Sequence, residues 1–308
     1  MIWSVDPPIA TGFGQRLLAA LLRSSIKLVF RYGMRPQVAP QRQRRVLRQA
    51  ARIAPLARGV RIDPGNLGGV PCEWLSVSRD NGWVLLYLHG GAFMVGDPRT
   101  HRAITSRLAK QGGLRVCALD YRLSPEHPYP AASDDVLAAY QALLEHGQVP
   151  ERIAIIGDSA GGNLTLNCAL RLRELGLPQP AALVCFSPVT DLTGAVWHVP
   201  PAGDPLLTRA WLQQGINAYC QPGVDRRAPL LSPLYADLKG LPPLLVQVGE
   251  DEHLLNQSLS LQGRDGLDLR LELYPRQWHV FQINCGLLTI AEVALMRVIE
   301  FLQQRGCR

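Results

Sequence analysis

The stretch Ile153-Ala154-Ile155-Ile156-Gly157-Asp158-Ser159-Ala160-Gly161-Gly162-Asn163 decides the reading of this chain. Its first four residues form an apolar run of the length expected for a strand buried on both faces. The small residues that follow permit a sharp turn, and from 163 to 175 apolar positions recur at helical spacing. Gly157-Asp158-Ser159-Ala160-Gly161 fits G-x-S-x-G, the strand-to-helix elbow that lifts a serine hydroxyl above the end of a sheet. In a chain with 28 glycines the pattern alone is weak, and its setting between a strand and a helix is what gives it force.

The same rhythm extends in both directions. Short apolar runs at 83–88, 114–119, 182–186, 244–248 and 269–274 alternate with amphipathic segments at 100–111, 131–145, 208–219, 254–261 and 287–304. That alternation predicts an α/β fold on a parallel sheet. Residues 59–62 and 73–77 read as two leading-edge strands, bringing the expected sheet to eight. Two regions break the rhythm: a helical, basic stretch at 1–55 and a turn-rich one at 188–242. Ligands bind at the carboxyl ends of such strands, so these regions are expected to fold over that end. The division is 1–55 as the N-terminal part of a cap, 56–194 with 226–308 as the sheet domain, and 195–225 as a cap insertion.

Composition narrows the function. With 308 residues, 47% of them hydrophobic, the chain can bury a large core. The net charge of +7 owes much to Arg42, Arg44, Arg45, Arg48, Arg52, Arg58 and Arg61, read as a solvated helix face; no nucleic-acid motif accompanies them. Seven cysteines occur without CxxC pairs or histidines at zinc spacing, so neither a disulfide framework nor a metal site is indicated, and no cofactor is called for. The opening MIWSVDPP lacks a basic segment leading into an apolar one, which argues against a signal peptide and for a cytoplasmic setting. Leu17, Leu18, Leu21 and Leu22 recur at helical spacing among basic residues. A packing face is the preferred reading, with membrane contact through 13–33 as the alternative.

A serine hydroxyl needs a base oriented by a carboxylate. In the order Ser, acid, His, the histidines preceding Ser159 are excluded; of His198, His253 and His279, only His279 follows the last predicted strand. The acid belongs after the preceding strand, which ends in Gly249-Glu250-Asp251-Glu252. Spacing allows any of these three carboxylates; its place beyond the glycine, together with the resemblance described below, favours Asp251, with Glu250 and Glu252 as alternatives. Acyl transfer also needs donors for a developing oxyanion. The amide of Ala160 is one, and His89-Gly90-Gly91-Ala92-Phe93, following a strand, supplies others.

These residues resemble the hormone-sensitive-lipase family of α/β-hydrolases, the bacterial class IV esterases. The resemblance spans roughly 60–305 and adds Asp120-Tyr121-Arg122-Leu123-Ser124-Pro125-Glu126-His127-Pro128, Ser187-Pro188 with Asp191-Leu192-Thr193, Ser232-Pro233-Leu234-Tyr235-Ala236 and His279-Val280-Phe281 to the motifs above. It implies Ser159, Asp251 and His279 as the triad and the amides of Gly90, Gly91 and Ala160 as the oxyanion hole. It further implies a cap, a small-molecule ester of short to medium acyl chain as substrate, and often a homodimer. Phe93, Met94, Trp197 and Trp211 then become acyl-pocket candidates. Ala92 stands where the family usually has a third glycine, and Asn256 and Gln257 where it is often acidic. Aryl-amide or acetyl-ester deacetylation, and non-catalytic binding as in the plant gibberellin receptors, are the competing readings; His279 argues against the latter.

Overall fold

Strands buried on both faces carry apolar side chains at nearly every position, and five of the central strands here do so. The computed structural model describes residues 2–4 and 12–307. Its central strands are β4 (Val84–Leu88), β5 (Arg115–Leu119), β6 (Ile153–Asp158), β7 (Ala182–Phe186) and β8 (Leu244–Gly249), followed by β9 (Leu269–Tyr274). All six are mutually parallel. Alternate residues feed opposite faces: Val84, Leu86 and Leu88 join one core, Leu85 and Tyr87 the other.

An antiparallel hairpin, β2 (Arg61–Leu67) and β3 (Val70–Ser76), completes one edge. It extends further than the sequence suggests, because Pro64 and Gly65 read as a turn. Here Pro64 sits in the outermost strand, where a missing N–H costs no ladder bond. The actual turn is Gly68-Gly69, both at positive φ (61° and 83°), as a two-residue hairpin loop requires. On the opposite edge, β1 (Ile2–Ser4) pairs parallel to β9. The described sheet therefore has nine strands in the order β1-β9-β8-β7-β6-β4-β5-β3-β2, one more than the eight expected. Three residues within a stretch read as helical are too few to show a period-two pattern.

Two features of this topology place the site. The chain leaves β4 for β5 on one side, then crosses to β6 on the other, making the β4/β6 boundary the switch point where open α/β sheets bind ligands. Leu88 and Gly157 are register partners there, so the loops after β4 and β6 emerge side by side. The flanking helices are α3 (Arg102–Gly112), α4 (Ala131–Glu145), α5 (Ala160–Glu174), a short α7 (Leu255–Leu259) and α8 (Thr289–Gln303). Two N-terminal helices, α1 (Phe13–Gly33) and α2 (Pro40–Ala51), and α6 (Arg209–Tyr219) lie outside the alternation. The seven cysteines are free and buried.

Candidate active site

Ser159 sits between β6 and α5 at φ 54°, ψ −114°, a conformation that costs a non-glycine residue free energy unless its surroundings impose it. They do. Its amide donates to the Phe186 carbonyl at 2.8 Å, and its own carbonyl accepts from Val189 at 3.0 Å, clamping the turn from the neighbouring β7 side. The residue is only 5% exposed and borders a half-open cavity shared with Gly90, Gly91 and His279.

His279 lies in the turn after β9 with its Nδ1 3.2 Å from Oε1 of Glu252, both side chains buried. The other carboxylate oxygen of Glu252 accepts from Ser187 Oγ at 2.6 Å and from the Gly249 amide at 2.8 Å. A carboxylate can only accept, so the proton of the His279–Glu252 bond belongs to Nδ1, and Nε2 keeps its lone pair.

This arrangement corrects the choice of Asp251. The chain turns sharply after Gly249, and the residue that folds back over the strand end is the third one on, Glu252. Asp251 points the opposite way, to Arg23 of α1, whose Nη1 reaches Asp251 Oδ2 at 2.9 Å. The same guanidinium donates to the carbonyls of Ala202 and Gly203 and lies 5.9 Å from the Trp278 ring centroid. Asp251 thus ties α1 and the 195–225 segment to the loops carrying Glu252 and His279. Glu250 accepts from the Arg276 amide at the surface.

The amides of Gly90, Gly91 and Ala160 make no hydrogen bond to protein among the described residues. Gly90 and Gly91 line the cavity, and Ala160 opens α5, whose N-terminal end favours negative charge. Buried amides without partners are rare, and donors left free beside a serine suit a developing oxyanion.

Of the four aromatic and methionine pocket candidates, only Trp211 borders the cavity. Positive φ at Ala92 (52°) and Phe93 (58°) turns Phe93 into the core, where it stacks on Tyr219 at 3.9 Å; Met94 is fully buried. Trp197 stacks on His253 and lines a separate surface hollow. The walls come instead from Phe30, Met34 and Leu47 of the N-terminal helices, Leu206 and Leu207 of the insertion, and Val95, Val280 and Ile283 of the sheet domain. Both irregular regions do reach the carboxyl end of the sheet.

Burial alone would lower the pKa of His279. The bond and charge of Glu252, with the charges of Asp204 and Asp158 behind it, outweigh burial and raise it above the ordinary 6.5.

Comparison with known proteins agrees with this geometry. A family model described as alpha/beta hydrolase fold matches residues 85–283. The crystal structure of an esterase from the bacterial hormone-sensitive lipase family superposes with a TM-score of 0.88 at 38% identity, covering 94% of this chain and 98% of that one. The chain belongs to the hormone-sensitive-lipase family of α/β-hydrolases. Relatives of this family member include an acetyl-hydrolase of Streptomyces hygroscopicus, 42% identical over 228 residues (71% of this chain, 76% of that protein). An esterase of Acinetobacter venetianus is 37% identical over 294 residues, 94% of each chain.

The family motifs acquire physical roles in this member. Tyr121 donates to the His89 carbonyl at 2.6 Å and stacks on the His89 ring at 4.2 Å, fixing the start of the Gly90-Gly91 loop. Burial, reinforced by the charge of His101, pushes the His89 pKa down to about 4, keeping that ring neutral. Glu126 pairs with Arg44 of α2, and Arg122 with Asp135 of α4. Asp158, beside the serine, is buried and held by Tyr87 at 2.7 Å and His101 at 3.3 Å. Sequence reasoning did not assign Ser187, Arg23, Tyr87 or His101. Only Ser187 had a signal, its place in the Ser187-Pro188 motif.

Proposed function

We propose that this family of ester hydrolases is represented here by a serine carboxylesterase for short- to medium-chain esters, acting through an acyl-enzyme. The observation that carries it is the convergence on one cavity of Ser159, a His279 held by Glu252, and two of three unpartnered amides. His279 Nε2 removes the proton from Ser159 Oγ as the oxygen attacks the ester carbonyl. The amides of Gly90, Gly91 and Ala160 stabilise the oxyanion, and Glu252 the imidazolium. The tetrahedral intermediate expels the alcohol, which takes the proton from His279. Water, deprotonated by the same nitrogen, then releases the acid and restores Ser159. The N-terminal helices and 195–225 act as the cap, and their apolar side chains form the acyl pocket. Similarity to an acetyl-hydrolase, and to an ethyl acetate hydrolase of Pseudomonas putida that is 32% identical over 235 residues, favours small acyl groups.

Hydrolysis of p-nitrophenyl acetate, butyrate and octanoate by wild type and Ser159→Ala tests the proposal. Wild type is expected to prefer the two shorter esters, and Ser159→Ala to lose turnover by about 10⁴-fold or more. Equal rates for the two proteins on every ester tried would refute it. The pH profile is a second check. Neutral imidazole is the working base, so kcat/KM climbs with pH as His279 deprotonates, and its raised pKa puts the midpoint above 6.5. A midpoint at or below 6.5 would mean that burial outweighs Glu252 and the charges behind it.

A further inference from the structure

Between Asp6 and Asp63 the sequence holds twelve arginines and lysines and no acidic residue, leaving 20 bases against 25 acids in the rest of the chain. The charge asymmetry is therefore confined to α1, α2 and their flanks. Within this cationic segment α1 is apolar on two sides. Its inner side half-buries Leu18, Leu22 and Ile26 against the sheet domain, and its end places Phe30 and Met34 in the ester cavity. Its outer side carries Phe13, Leu17, Leu21, Leu28 and Tyr32, each 50–79% exposed. At helical spacing these five fall within an arc of roughly 100°, the width of a face that is ordinarily buried. The packing-face reading of the leucines thus holds for Leu18 and Leu22 and fails for Leu17 and Leu21. Lys27 and Arg31 line one edge of the outer stripe and Arg35 follows it, all exposed and, among the described residues, without a carboxylate partner.

We propose that the outer face of α1 docks on an anionic lipid surface. An apolar stripe edged by exposed cations is what seats a helix at the boundary between headgroups and acyl chains, and the absence of any acid on α1 or α2 removes the repulsion such a surface would otherwise meet. The docked helix also walls the ester cavity, so the cavity lies against the surface from which apolar esters would partition. None of the outer residues takes part in the proposed chemistry, which separates this inference from the esterase reading.

Co-sedimentation with phosphatidylcholine vesicles, with and without phosphatidylglycerol, tests it. Wild type and Ser159→Ala are both expected to pellet at least about ten-fold more with the anionic vesicles. The variants Leu17→Glu/Leu21→Glu/Leu28→Glu and Lys27→Glu/Arg31→Glu should stay in the supernatant, with wild-type melting temperature and wild-type turnover of soluble p-nitrophenyl acetate. Wild type remaining in solution with both vesicles overturns the proposal. So does a dimer, seen by light scattering, that stays off vesicles and that the triple variant dissolves, because the stripe is then a self-interface.

Discussion

Glu252→Gln is expected to lower kcat on p-nitrophenyl butyrate by about 10⁴-fold, the scale set when the acid of a serine triad is neutralised without changing its shape. The reason is visible in the bonds of the carboxylate. Oε2 is already committed to Ser187 Oγ and the Gly249 amide, which leaves Oε1 as the sole acceptor for His279 Nδ1. An amide in its place turns one acceptor position into a donor. Either Ser187 and Gly249 lose an acceptor, or His279 meets an N–H and takes the other tautomer, with its lone pair on the wrong nitrogen. Asp251→Asn, which breaks only the partly exposed pair to Arg23, should cost less than about tenfold. The reverse order, with Asp251→Asn crippled and Glu252→Gln near wild type, would restore Asp251 to the triad.

That pair of variants also marks where the sequence stops being informative. Strands β4 to β9 were legible because parallel strands buried on both faces become short apolar runs, and the elbow because its turn demands small residues around Ser159. Glu250, Asp251 and Glu252 are three carboxylates in one turn, and nothing local distinguishes them. What selects Glu252 is a hydroxyl from the end of β7, Ser187 Oγ, 65 residues away in sequence and brought alongside by strand order. The same kind of remote cause misplaced Phe93 and Trp197: both follow motifs near the cavity, yet Tyr219 and His253 draw their rings elsewhere. Ile2–Ser4 was missed for a different reason, since a three-residue edge strand has no pattern to read.

Gly161→Ala is expected to lower kcat by about 10²–10³-fold with little change in KM, and to reduce the melting temperature. A Cβ at this position would lie 1.9 Å from the Leu88 carbonyl oxygen and 2.8 Å from that of His89. Both are backbone atoms, so no rotamer change relieves the clash. Leu88 is the last residue of β4, paired in register with Gly157 of β6, and only His89 separates it from Gly90 and Gly91. To admit the methyl group, the start of α5 must move away from the end of β4. That motion separates the Ala160 amide from those of Gly90 and Gly91, which must converge on a single oxygen. The donors act chiefly when charge has developed, so the loss falls on kcat more than on substrate binding. Gly14→Ala is the matched control: its Cβ would meet nothing within 4 Å, it lies in α1, and alanine there should leave kcat unchanged while slightly favouring the helix. Wild-type kcat in Gly161→Ala would mean that the two loops tolerate separation, and the assignment of Ala160 alongside Gly90 and Gly91 would fall.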